Sequence, residues 1–290
     1  MKKIFVIACL LTARPAYTQT AGFDIFLTPF SFTDAGGYFI GDITNITHHP
    51  GYDNQPAFTA DGKYILYSAQ ADSLQMDIFS YELTSGETRQ ITHTTESEFS
   101  PVPTEDGNHF TSVLIEMDST QRMWTYTLDG SARQLTMDKV DSIGYYCFLG
   151  NGTFACFMVT DVPTLIVTDV WRQRTDLIDT SVGRCIKRIP GENAFSYIVK
   201  LDDEHWQLKK YNMSKGSKSV ICDFPNVGED YVWTPDGKLL TARRNQLFLY
   251  DYSGDGSWKR IGAFFEDPNR NVYRLALSPD GTLLAFVADE

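Results

Sequence analysis

Short runs of alternating apolar and polar residues, separated by polar turns, recur along this chain. In Gln55 Pro56 Ala57 Phe58 Thr59 Ala60 Asp61 Gly62 Lys63 Tyr64 Ile65 Leu66 Tyr67 Ser68, an apolar run enters a turn carrying Asp and Gly, and an alternating run leaves it. A period of two puts one face of each strand in a core, and a glycine after Asp supplies the positive φ of a tight turn. The stretch therefore predicts a β-hairpin. Variants stand at Glu105 Asp106 Gly107, Gly150 Asn151 Gly152, Pro235 Asp236 Gly237 and Pro279 Asp280 Gly281, with a degraded form at Pro190 Gly191 Glu192. The turn glycines at 62, 107, 152, 191, 237 and 281 are spaced by 45, 45, 39, 46 and 44 residues. A repeat of that length holding about four short strands is a propeller blade, and it overrides any division of the 290 residues into two domains.

The two ends of the chain are complementary. Asp24 Ile25 Phe26 Leu27 and Ile43 Thr44 Asn45 Ile46 Thr47 match the second halves of later repeats, such as Asp77 Ile78 Phe79 Ser80 Tyr81 followed by Gln90 Ile91 Thr92. The last repeat stops at Glu290, after its first hairpin. Ring closure, with the N-terminal strands completing that repeat, removes the sheet edges an open array would expose. The expected fold is all-β: a six-bladed β-propeller of four-stranded antiparallel sheets, closed in this way.

Composition refines the picture. Met1 Lys2 Lys3 ahead of the apolar block Ile4–Leu11 reads as a secretory signal over residues 1–19, leaving 20–290 as a single propeller domain. Its apolar part is too short to span a bilayer, and no other stretch is long enough. Losing Lys2, Lys3 and Arg14 takes the formal charge from −12 to −15. So acidic a protein repels phosphate backbones, which argues against a nucleic-acid partner. Cys147, Cys156, Cys185 and Cys222 show no zinc-like spacing and read as buried free thiols, because a loop at 149–152 would pair Cys147 with Phe154 rather than with Cys156. Adjacent His48 and His49 point to opposite sides of an extended segment and suit a surface loop better than a metal site. No nucleophile elbow, phosphate loop or dinucleotide pattern occurs. Asp61, Asp106, Asp236 and Asp280 stand one per blade as turn formers, and Phe79, Tyr81, Trp124, Tyr126, Trp206, Phe248 and Tyr250 as sheet packing.

Thr59 Ala60 Asp61 Gly62 Lys63, Thr234 Pro235 Asp236 Gly237 Lys238 and Ser278 Pro279 Asp280 Gly281 Thr282 resemble the Ser-Pro-Asp-Gly signature of TolB-like, WD-related β-propeller repeats. The stretches Glu96–Pro101, Gly183–Gly191 and Glu229–Pro235 are similar to those of exported bacterial single-propeller proteins in that superfamily. The resemblance covers roughly residues 24 to 290. It implies the fold and a periplasmic or secreted location, while the superfamily's functions range from scaffolds to peptidase-associated propellers and lyases.

In a propeller the inner strands surround a central channel. The position seven before each turn glycine gives Gln55, Ser100, Tyr145, Asp230 and Arg274, with Arg184 or Cys185 in the degraded blade; Asp53, Asn54, Glu98, Glu229 and Tyr273 flank them. Gln55, Glu98, Tyr145, Arg184, Glu229, Asp230 and Arg274 are accordingly the candidate binding residues of a channel mouth. The reading is a monomeric binding or scaffold module for a protein, peptide or glycan, with no catalytic residue, metal or cofactor assigned. The alternative is a small hydrolase or lyase with a calcium-like ion held by Glu98, Glu229 and Asp230, assisted by Arg184 or Tyr145; it requires three of these groups to converge.

Overall fold

The computed structural model describes residues 22–32, 38–48, 50–71, 75–225 and 228–289. The expected signal segment and His49 lie outside the described residues. Three strands, β1 (Phe23–Phe32), β2 (Tyr38–Ile40) and β3 (Thr44–Asn45), open the chain. Blade one follows with β4 (Asp53–Phe58), β5 (Tyr64–Gln70), β6 (Met76–Glu82) and β7 (Thr88–Gln90). Blade two holds β8 (Ser97–Pro103), β9 (His109–Ile115), β10 (Gln121–Thr127) and β11 (Arg133–Leu135). Blade three holds β12 (Ile143–Gly150), β13 (Thr153–Met158), β14 (Thr164–Asp169) and β15 (Arg174–Thr180). Blade four holds β16 (Val182–Arg188), β17 (Ala194–Lys200), β18 (Trp206–Asn212) and β19 (Ser217–Phe224). Blade five holds β20 (Tyr231–Trp233), β21 (Lys238–Arg243), β22 (Gln246–Asp251) and β23 (Trp258–Ala263), and the chain ends with β24 (Val272–Leu277) and β25 (Leu283–Asp289).

The sixth sheet has the order β2-β1-β25-β24 and joins the two ends of the chain. Strand β1 runs antiparallel to β25 from Phe23 opposite Asp289 to Pro29 opposite Leu283. Its outer neighbour is split, with β3 pairing Phe26 and Leu27 and β2 pairing Phe30 to Phe32. The repeat homology holds at the level of hydrogen bonds. Thr47 Oγ1 accepts the Ile25 N–H and donates to Asp24, as Thr92 Oγ1 accepts the Ile78 N–H and donates to Asp77 in blade one.

The core is distributed as six clusters, each between two neighbouring blades. Alternation along β1 explains the two that flank the sixth sheet: Ile25 packs with Ile65 and Tyr67 of blade one, and Phe26 with Leu240 and Leu247 of blade five. The turns behave as their sequence suggests. Their glycines have φ between 67° and 83°, and the Ser or Thr two residues before each Asp donates to its carboxylate, at 2.7 Å from Thr59 to Asp61 and 2.6 Å from Ser278 to Asp280. That hydroxyl holds Asp61 below its usual carboxylate value, the signature of an ionised turn former. Blade four lacks the pair yet closes the same hairpin, through Ile189 N–H to Ala194 O and Glu192 N–H to Ile189 O.

One expected register is corrected. Asn151 and Gly152 form a two-residue turn with both φ positive, and Leu149 bulges out, so Cys147 faces Ala155 rather than Phe154. Cys156 lies opposite Tyr146, and all four described cysteines are free.

Candidate functional site

The first strand of each blade lines the channel, and five of the six carry a register break near the end where they enter it. The breaks lie at Asn54/Ala57, Phe99/Val102, Ile143/Tyr145, Val182/Ile186 and Val272/Arg274. A bulge bends a strand and re-aims its side chains. In blades one and two the bulge residues Gln55 and Ser100 sit at φ 60° and 55°, a strained region for any residue but glycine, of the kind that clusters at functional sites. The result is a cavity of about 110 Å³ at the mouth, to which all six blades contribute, Gln55, Ser100, Tyr145, Arg184, Asp230 and Arg274 among the residues. Larger hollows of about 400 Å³ and 740 Å³ are open grooves between blades one and two and between blades three and four, away from this convergence.

Arg274 is the keystone of the mouth. Its guanidinium donates to Asp230 at 3.3 Å and to the Tyr145 hydroxyl at 3.0 Å, and lies 5.0 Å from the centre of the Tyr145 ring. Burial opposes its charge, while the Asp230 carboxylate favours it, and its pKa lies above the usual arginine value. Arg184 approaches the same tyrosine ring at 6.0 Å. Glu229 sits behind it, accepting the Arg184 N–H at 2.7 Å and pairing with Lys200, and these partners hold its carboxyl below the ordinary value against the opposing effect of burial. Gln55 is spent on structure: its Oε1 accepts from Ser68 at 2.9 Å and from the Ser100 N–H of the next blade at 2.7 Å. Asp230 makes the equivalent clamp to blade six through the Leu275 N–H at 3.3 Å.

Glu98 is a correction. It points away from the channel and is fully buried between blades one and two, accepting from Thr94 at 2.7 Å and approaching the hydroxyls of Thr92 and Tyr126. The reason is the register break: Glu98 is paired with Leu114 in the regular ladder, and only past Phe99, inside the bulge at Phe99/Val102, does the strand bring Ser100 to the cavity. Burial, reinforced by Asp77 and opposed by Thr94 and Arg133, pushes its carboxyl up to about 8. The three carboxylates proposed for a cation thus do not converge: Glu98 is sealed between sheets, Glu229 is held by Lys200 and Asp230 by Arg274. Among the described residues no three His, Cys, Asp or Glu side chains are grouped as metal ligands would be.

A raised carboxyl pKa makes stability pH-dependent with a definite sign. The folded state holds the Glu98 proton from pH 4.5 to about 8, where the unfolded chain has lost it, so stability falls as pH rises through that window. The whole effect is at most about 5 kcal/mol. Glu98→Gln keeps the shape without the titration and is expected to flatten the curve and raise the melting temperature at pH 9. Chemical denaturation of both proteins from pH 5 to 9 checks this, and parallel curves would refute it.

The sequence missed Lys187, which also lines the cavity. Counting back from the hairpin end, its structural equivalents are Ala57, Val102, Val232 and Ala276 in four other blades. A lysine at a small apolar position was the available signal. It was obscured because the blade-four turn places Gly191 where four other blades have Asp and blade three has Asn151, which moves the register by one and puts Cys185 in the place of Gln55.

At the level of sequence, no protein-family model and no curated protein matches the chain. Solved structures do match in fold. A putative TolB from Agrobacterium tumefaciens superposes with a TM-score of 0.68 at 13% identity, over 93% of this chain and 99% of that one. The fold is TolB-like. TolB from Acinetobacter baumannii gives a TM-score of 0.58 at 14% identity over 91% of this chain, which spans only 64% of that protein. An oligogalacturonate lyase from Vibrio parahaemolyticus also gives 0.58, at 11% identity, over 91% of both chains. Proteins of such different names share this fold, and function has to be argued from this chain's own mouth.

Proposed function

We propose that the protein is an exported, non-catalytic binding module that engages a protein or peptide through the mouth face of its propeller. The observation that carries this reading is the placement of exposed apolar side chains. Strand register puts the loop after the second strand of each blade at the mouth end, as Ser97 opposite Ile115 and Ile143 opposite Met158 show. Those loops in blades two, three and four present Met117, Val159, Val162 and Leu201, between 52% and 79% exposed, and Tyr273 joins them from blade six. Apolar side chains of this size ringing a polar cavity form the anchor-and-pocket arrangement of a protein interface. Tyr38, Phe39, Leu177 and Val220 are exposed on outer strands, and Trp171 stands at the opposite end, on the open groove of about 740 Å³ between blades three and four.

The TolB likeness supports the reading as analogy only. The enzymatic alternative finds no support in the carboxylates, which the fold separates. A direct test is affinity capture from the exported fraction of the native host, comparing wild type with Met117→Glu/Leu201→Glu. Both positions are exposed, so the double variant is expected to keep its melting temperature and lose the captured partner. Retention of the same partner by the variant would overturn the proposal.

A further inference from the structure

We propose that the channel mouth is a receptor for a single carboxylate of an acidic peptide segment, with Lys187 at its floor and Arg184, Arg274 and Tyr145 around it. The inference rests on the mouth reading above and adds the chemistry of what enters. Its first support is a charge imbalance. The chain carries a net charge of −12, yet the charged side chains lining this cavity are Arg184, Lys187 and Arg274 against one carboxylate, Asp230. Asp230 is already committed to Arg274 and the Leu275 N–H. The neighbouring Glu229 is outside the lining and is shared by Lys200 and, at 3.9 Å, the Arg184 guanidinium, so that counting both added residues still leaves four cations against two carboxylates.

The second support is Lys187 itself. Lys187 is half-buried at the cavity, and among the described residues its ammonium makes no hydrogen bond or ion pair. Burial works against its charge and the nearby Asp230 carboxylate works for it, while Cys185, a buried thiol pushed up to about 12, is uncharged at neutral pH. An ammonium held in a narrow cavity, at a position where four other blades place Ala or Val, lacks only an anion. The third support is geometry. Tyr145 and Arg184 offer a hydroxyl and a guanidinium above that floor, and a guanidinium suits a carboxylate through paired N–H donors. A volume of about 110 Å³ is well under the roughly 300 Å³ at which pockets begin to enclose a drug-sized ligand. It takes one acidic side chain, and the apolar loops outside it suit the rest of a polypeptide rather than a polyanionic sugar chain.

The test uses the folded protein and defined probes. A short peptide centred on one glutamate is compared with its glutamine counterpart and with an oligogalacturonate, by thermal shift and isothermal calorimetry at low and high salt. Wild type is expected to bind the glutamate peptide at least tenfold more tightly than the glutamine one. Lys187→Met, which preserves the length of the side chain, is expected to lose that preference while melting no lower than wild type. Equal binding of both peptides by wild type, no binding of either, an unchanged preference in Lys187→Met, or preferential binding of the oligosaccharide would each overturn the assignment. If partner capture depends on Met117 and Leu201 but not on Lys187, the carboxylate assignment falls and the mouth reading stands; if it depends on neither, both fall.

Discussion

Deleting residues 22–47 is expected to abolish cooperative unfolding and leave an aggregating protein. The deletion strips β25 of its partner over seven residue pairs and exposes the edge of a strand whose residues Leu284, Ala285, Phe286, Val287 and Ala288 are all buried. It also removes Ile25, Phe26, Phe30 and Ile46 from the two clusters on either side of blade six. At roughly 2 kcal/mol for each large side chain, that loss approaches the 5–15 kcal/mol by which domains are stable at all. An unpaired apolar edge then offers itself to other chains. Calorimetry and sedimentation of the truncated protein check the expectation. A monomer with an unchanged melting temperature would show that the ends do not close the ring.

That closure was legible in the sequence because blade identity is written locally. Asp-Ile-Phe and Asn-Ile-Thr near the N-terminus repeat Asp77 Ile78 Phe79 and Gln90 Ile91 Thr92, and each Thr makes the same pair of bonds in its own sheet. The ring of mouth residues was legible for the same reason, since counting back from a turn glycine follows one strand of fixed length. Counting failed where strands bulge or turns change. Glu98 lies two residues before Ser100, a spacing that keeps both side chains on one face of an unbroken strand, but the register break that begins after Phe99 parts them and leaves Glu98 between the sheets. Lys187 escaped because the turn of blade four is displaced by one residue. Glycine spacing says nothing about which charges already have partners: Gln55 occupies the predicted place and spends its carbonyl on the next blade. Whether Lys200 or Arg274 neutralises a neighbouring carboxylate is decided by contacts between blades that are far apart in sequence.

Asp230→Ala is expected to be the most damaging single substitution at the mouth. The Arg274–Asp230 pair is largely shielded, with side-chain exposures of 14% and 13%, and removing one partner leaves a buried guanidinium with only Tyr145 to receive it. Breaking such a pair costs about 3–5 kcal/mol, or roughly 10 °C in a domain of this size. The inter-blade bond from the Leu275 N–H is lost at the same time. Arg274→Leu combined with Asp230→Leu removes both charges and is expected to recover most of the stability, so the two single changes will not add. Full additivity in a double-mutant cycle would mean that the two side chains are energetically independent.

Site-specific photo-cross-linking around the ring tests the central claim, that partners are met at the mouth face. A photoreactive residue placed at Met117, Val162 or Leu201 is expected to yield a discrete adduct when the protein is expressed in its native host. The same residue at Trp171, Leu177 or Val220, exposed but away from the mouth, is expected to yield none. Adducts from this second group, with none from the first, would contradict the account.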